Sequence, residues 1–173
     1  VTAPSYNPSI LVGRQRSKNY TKLYRDSIAK PLYDRGLLAE YPPGSPFKIL
    51  TALIGLQEGV ITERPSFACH HGFSYARGRF MKCHDSGISM LHNGIYNSCN
   101  TYFANTYKRT IDKYKKPKDG VNAWANHLKS FGLGNFMGYD LPTGRKGHIP
   151  TSKFYERFYP NGGWRSSTII SNS

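Results

Sequence analysis

The sequence predicts a mixed α/β domain represented mainly by its helices. Three observations carry this. Apolar residues recur at helical spacing in several segments, strand signals are scarce, and the opening Val1-Thr-Ala-Pro4 reads as the last residues of a strand. A length of 173 residues suits one domain with one core. With 38% apolar residues, including 13 Tyr and 9 Phe, the chain can bury enough area to fold.

The elements follow in order. Asn7-Pro8 and Gly13 mark a loop. Residues 19–30 are helix-compatible and stop before Pro31. Glu40-Tyr-Pro-Pro-Gly44 reads as a rigid turn. Residues 45–58 then form a helix with Phe47, Leu50, Leu53 and Ile54 on its apolar side, stopped by Gly59. Residues 62–87 read as irregular, being rich in Gly, Arg, His and Cys. A short helix is expected around 89–96. Ser98 opens the next one, where Phe103, Tyr107, Ile111 and Tyr114 make a buried stripe. Residues 119–131 repeat the pattern with Trp124, Leu128 and Phe131, capped by Asp119 and ended by Gly132. Residues 132–147 are loop, 150–158 a short helix, and 164–173 ambiguous.

Charge and hydropathy narrow the function classes. Lys+Arg total 24 against 10 Asp+Glu, a net charge of +14. Such a balance suits a basic module that binds an anionic polymer. The charges do not cluster, however, and the aromatics fall on apolar stripes rather than between cations, so nucleic acid is not the expected partner. The longest apolar stretch, residues 49–56, is broken by Thr51 and Gly55 and is far shorter than the ~20 residues of a membrane span. No start resembles a signal peptide. The chain opens at Val1, so a piece of a longer protein is expected.

Ser-x-x-Lys places a hydroxyl and an amine on one helix face, where a neutral amine can take the Ser proton. A Ser at a helix start also keeps a backbone N–H free for an oxyanion, and the positive helix end together with burial lowers the Lys pKa. The pattern occurs twice. Ser27-Ile-Ala-Lys30 runs into Pro31, where no N-terminal dipole exists. Ser45-Pro-Phe-Lys48 follows the Pro-Pro-Gly turn and begins a strong apolar helix, with Pro46 at the favoured first position. The competing role for Ser45 is a plain N-cap. Ser-x-Asn occurs three times, at Ser5-Tyr-Asn7, Ser17-Lys-Asn19 and Ser98-Cys-Asn100. Only Ser98 sits between two helices, where a short loop can project a hydroxyl and an amide into a cleft.

Glu40-Tyr-Pro-Pro-Gly-Ser-Pro-Phe-Lys48, with the apolar helix ending Leu56-Gln-Glu-Gly-Val-Ile61, resembles the active-site helix of penicillin-binding transpeptidases. Ser98-Cys-Asn-Thr-Tyr-Phe103 resembles their second motif. Phe131-Gly-Leu-Gly134, Gly138-Tyr-Asp-Leu-Pro142 and Gly147-His-Ile-Pro150 are similar to the stretch that follows, and Ala3-Pro-Ser-Tyr-Asn-Pro8 to the strand exit before the site. The Tyr-Pro-Pro-Gly-Ser form and the Cys-containing stretch before the second motif point to the class B, cell-elongation type, penicillin-binding protein 2.

The resemblance implies an α/β (α+β) fold of the serine β-lactamase and penicillin-binding transpeptidase kind, with residues 1–173 a partial transpeptidase domain. It implies a serine D,D-transpeptidase of peptidoglycan synthesis in the bacterial periplasm, needing no cofactor. The parent would be anchored in the inner membrane and work with a glycan polymerase in the cell-elongation machinery. Its partners would be stem peptides and β-lactams. Ser45 would be the nucleophile, Lys48 the base and Ser98 a proton relay to the leaving amine. Asn100 would hold the substrate amide and the Lys48 amine. The family's third motif, Lys-Thr/Ser-Gly on a strand, is absent; the nearest triplet is Pro142-Thr-Gly144. The chain alone is therefore expected to be inactive. The alternative is a non-catalytic basic binding module.

The Cys/His stretch leaves readings open. Cys69-His70-His71 and Cys83-His84 carry zinc-ligand types, but C-x13-C is not a standard ligand spacing. A Cys69–Cys83 disulfide, free thiols or a structural zinc site all fit, and family members often carry two Cys here. Cys99, inside the second motif, is expected to be buried rather than reactive.

Overall fold

The computed structural model describes residues 2–64, 66–136, 138, 143–161 and 163–172, without the side chains of 170–172. The chain divides into two compact units, one of Val1–Tyr41 with Asn135–Gly147 and one of Pro42–Gly134 with His148–Ser173.

In the first unit a 3-10 turn, Pro8–Leu11, precedes α1 (Arg16–Arg25) and α2 (Arg35–Leu38). The helix expected over 19–30 starts earlier and ends at Arg25. There the Asp26 carboxylate accepts from the Ile28 and Ala29 N–H groups and turns the chain. Asp34 caps α2 through the Gly36 and Leu37 N–H groups and accepts from the Thr2 hydroxyl at 2.6 Å. Of the expected strand end at residues 1–4, the described residues 2–4 are irregular. Arg145 ties the second segment of this unit to the first. Its N–H reaches the Leu37 carbonyl at 2.8 Å and its guanidinium the Glu40 carboxylate at 3.1 Å. Residues 139–142 of the Gly138-Tyr-Asp-Leu-Pro142 landmark lie outside the described residues.

The second unit carries the core. A 3-10 turn, Ser45–Phe47, leads into α3 (Lys48–Gln57). Then come β1 (Phe67–Ala76), β2 (Arg79–Ser89), α4 (Leu91–Tyr96), α5 (Asn100–Asp112), α6 (Pro117–Ser130), α7 (Ser152–Phe158) and α8 (Trp164–Asn172). The region expected to be irregular over 62–87 is largely an antiparallel hairpin, running from Phe67 opposite Ser89 to Ala76 opposite Arg79. Register shifts between His70 and Gly72 and between Ser74 and Ala76 break its two-residue period.

Helix α5 is central because three residues of its expected stripe, Phe103, Tyr107 and Ile111, are fully buried. The fourth, Tyr114, lies past the end of the helix and is only half-buried. Tyr107 meets Trp124 of α6 edge-on at 4.8 Å, and Ile54, Val121, Leu128, Tyr155 and Ile169 complete that cluster. A second cluster joins Tyr102 and Phe103 to Phe67, Ile61, Ala52 and the three cysteines.

Two details of the helices differ from expectation. On α3 the buried face is Lys48, Thr51, Ala52, Ile54 and Gly55, whereas Ile49, Leu53 and Leu56 are exposed. That helix is apolar almost all round, so periodicity alone did not choose the face. Helix α6 begins at Pro117, with Asp119 in its first turn rather than at the cap, and Phe131 lies past its end, exposed.

Candidate active site

Gly44 sets the approach to Ser45. Its φ of 64° and ψ of −156° lie in a region open essentially to Gly alone. Pro46 then fixes the first turn, and the Ser45 N–H takes no part in that turn's hydrogen bonds, which run from Phe47 to Gly44 and from Lys48 to Ser45 and Pro46. Ser45 is exposed, while Lys48, one turn on, is only 5% exposed.

The partner groups come from the α4–α5 connection. The Ser98 N–H bonds to the Ile95 carbonyl at 3.0 Å and the Cys99 N–H to the Gly94 carbonyl at 2.8 Å. Ser98 itself sits at φ 51°, in the left-handed region. Cys99, not Ser98, caps α5, its sulfur accepting from the Tyr102 N–H. Asn100 is the first residue of α5.

These placements converge on the Lys48 amine. It donates to the Ser98 carbonyl at 2.7 Å, the Ser98 hydroxyl at 2.9 Å and Asn100 Oδ1 at 2.5 Å. The Ser98 hydroxyl reaches Ser45 Oγ at 3.1 Å. The contact to Ser45 among the described hydrogen bonds is thus Ser98, with Lys48 one step behind. The other end of the Asn100 amide donates to the Lys82 carbonyl of β2 at 2.9 Å. The Phe103 ring lies 5.7 Å from the amine. Burial pushes the Lys48 amine below its ordinary pKa, opposed in part by negative charge at Cys83 and Cys99.

All four sequence candidates, Ser45, Lys48, Ser98 and Asn100, therefore meet. The rival copies lie in the first unit. Lys30 is exposed in the turn after α1, Asn7 caps Ser9, and Asn19 donates to the Ile10 carbonyl. Lys82 escaped sequence reasoning because it acts through its backbone carbonyl, which no side-chain pattern records.

The metal candidates divide. Cys69 and Cys83 are buried and converge with Cys99, all three sulfurs lying within 4.8 Å of one another as free thiols. His70, His71 and His84 are exposed, outside this group, because strand alternation turns residues next to inward cysteines outward and His71 sits in a bulge at φ 56°. Cys83 and Cys99 sulfurs are 3.7 Å apart, and Cys69 contacts the Asp85 carbonyl and the Thr101 hydroxyl at 3.1 Å each. Burial opposes ionisation of Cys83, but hydrogen bonds from the Thr101 and Asp85 backbone and from the other thiols outweigh it and lower its pKa; burial raises that of Cys99.

A Ser at a helix start, a buried amine with a lowered pKa and a Ser-x-Asn loop bridging them have the arrangement that serine acyl transfer requires. The penicillin binding protein transpeptidase domain model matches residues 1–169, and the chain belongs to that family. Among curated relatives, the Acinetobacter baumannii peptidoglycan D,D-transpeptidase MrdA is 32% identical over 97% of this chain, which spans about a quarter (23%) of that relative's length. Pseudomonas aeruginosa PBP2, solved in complex with WCK 5153, superposes with a TM-score of 0.79 at 27% identity, covering 98% of this chain and 37% of that one. Helicobacter pylori PBP2, solved with MreC, gives 0.78 at 26% identity, covering 98% and 30%.

Proposed function

We propose that the protein containing this chain is a peptidoglycan D,D-transpeptidase of the cell-elongation type, with Ser45 as nucleophile. The observation that carries the proposal is the hydrogen-bonded path from Ser45 Oγ through the Ser98 hydroxyl to the buried Lys48 amine. Ser45 Oγ attacks the carbonyl carbon of the penultimate D-Ala. Its proton passes to Lys48, directly or through Ser98, which requires the neutral amine that burial favours. Collapse breaks the bond to the terminal D-Ala, and Ser98 hands a proton to its leaving amine. A side-chain amine of a neighbouring strand then takes the acyl group and frees Ser45. A β-lactam follows the first half and remains as the acyl-enzyme.

The relatives' names support action on the bacterial cell wall; the membrane anchor and the neighbouring glycan polymerase rest on the resemblance alone. The H. pylori complex supports an MreC-type partner. The alternative of a basic polymer-binding module has no comparable support. The three thiols offer three of the four ligands that a structural zinc ion takes. Sulfurs bound tetrahedrally at about 2.3 Å lie roughly 3.8 Å apart, close to the 3.7 Å between Cys83 and Cys99. Zinc there would brace the hairpin against α5 and take no part in acyl transfer.

The test is labelling of the full-length protein with a reporter penicillin. One acyl group on the peptide bearing Ser45, abolished by Ser45→Ala, is expected. A label on Ser27, or one that persists in the variant, would refute the assignment.

A further inference from the structure

We infer that the Lys82 side chain binds a carboxylate of the acyl-donor stem, and so favours stems that carry one next to the reacting D-Ala; this rests on the transpeptidase reading above. Lys82 is tied to the site through its own backbone. Its carbonyl accepts from the Asn100 amide at 2.9 Å, and the oxygen of the same amide meets the Lys48 amine at 2.5 Å. Strand alternation turns Cys83 inward and Lys82 outward, so the ammonium group stands on the open face of β2.

Nothing described on the hairpin competes for that cation. Across the ladder Lys82 faces Gly72, which has no side chain, and a Cβ there would collide with the Phe80 ring. Phe80, Lys82 and His84 thus share one exposed face. Residues 67–84 contain Arg77, Arg79 and Lys82 but no Asp or Glu. The first acid beyond them, Asp85, is already engaged by the Ser86 N–H at 3.0 Å and the Ser89 hydroxyl at 2.9 Å. Among the described hydrogen bonds and ion pairs the Lys82 amine has no partner. The strand that steadies Asn100 therefore carries an uncompensated positive charge.

The chemistry of the donor supplies the matching group. The acyl part of the stem, which stays on Ser45, runs back from the nucleophile past the amide that Asn100 holds on this reading. The residue before the D-Ala pair is a diamino acid, since its side-chain amine is what accepts the acyl group in crosslinking. Such a residue exists with or without a second carboxylate. The ammonium of Lys82, on a flexible four-carbon stem, suits the form that has one, through a charge-assisted hydrogen bond. Phe80 beside it offers apolar surface to the methylenes of the same residue. Arg77 and Arg79 add to the field that draws an anionic stem to this face. Because Lys82 is exposed, water and salt limit the preference to about 2–5-fold.

The experiment acylates full-length protein with benzylpenicillin and with its α-carboxyl analogue, which differ by one carboxylate on the side chain that takes the place of the stem. The quantity read is the ratio of their second-order acylation constants, carboxylated over neutral. Lys82→Gln should lower that ratio about 2–5-fold, Lys82→Glu should lower it further, and Lys82→Arg should keep it. A merely structural role would move both rates together and leave the ratio fixed, since each substitution retains the backbone carbonyl that Asn100 uses. In about 1 M salt, where exposed charges are screened within about 3 Å, the wild-type and Lys82→Gln ratios should converge. If Lys82→Glu does not fold, the Lys82→Gln ratio decides. A ratio indifferent to the loss of Lys82 overturns the inference. So does an equal fall in Arg79→Gln, which would report only the net charge of the face. Protein that takes neither penicillin would refute the transpeptidase reading, and the inference with it.

Discussion

Ser98 carries two loads that two substitutions can separate. Its hydroxyl bridges Ser45 and Lys48, and its backbone occupies φ 51°, where a Cβ is unfavourable. Left-handed backbone costs a non-Gly residue about 1–2 kcal/mol. Glycine escapes that cost but loses about 0.4–1 kcal/mol through the greater freedom of its unfolded chain. Ser98→Ala and Ser98→Gly lose the same hydroxyl contacts, so Ser98→Gly should be the more stable by about 0.5–1 kcal/mol. That difference appears as about 1–4 °C in the thermal midpoint of a domain of this size. Both variants should acylate about 10²-fold or more slowly with a reporter penicillin, because the proton path is cut. Thermal melts and acylation rates of the full-length variants read the two loads independently. Equal stability of the two variants would refute the strain, and unimpaired acylation would refute the relay.

Three further outcomes follow from the same geometry. Lys48→Ala should slow acylation by about 10²–10⁴-fold while Lys30→Ala leaves it unchanged; equal losses would defeat the argument from position and burial. Gly120→Ala places a Cβ 2.4 Å from the Ile111 carbonyl oxygen, so α5 and α6 must separate; a loss near the upper end of about 1–3 kcal/mol is expected as a lower urea midpoint with an unchanged slope. Burial alone would raise the Glu58 pKa, but hydrogen bonds from Lys113, His127 and Tyr114 hold it at about 2, against an ordinary 4.5. A depressed carboxyl stabilises the fold above its unfolded pKa, and that contribution is lost as pH falls from about 4.5 toward 2. Glu58→Gln should lower the midpoint at neutral pH and flatten its decline over that acid window.

The helical frame was legible because α5 and α6 bury one stripe each, and Phe103, Tyr107, Ile111, Trp124 and Leu128 repeat with the helical period. Local context separated Ser45 from Ser27 and Ser98 from the other Ser-x-Asn copies but left an N-cap role open for each, and the family resemblance made the quartet legible. The hairpin was not. Its bulges interrupt alternation, and the inward residues Cys69 and Cys83 are flanked by outward His70, Lys82 and His84, so no apolar rhythm survives. The thiol cluster was hidden for another reason. It unites two strands and a helix cap, and sequence spacing says nothing about which elements pack together.

The Asn100 carboxamide is gripped at both ends, its oxygen by the Lys48 amine and its nitrogen by the Lys82 carbonyl. Aspartate has almost the same shape and lies one codon base away, so mutation samples it often. There the exchange would set a carboxylate oxygen against a carbonyl oxygen and place a negative charge beside Lys48. The amine would be held as ammonium and lost as a base.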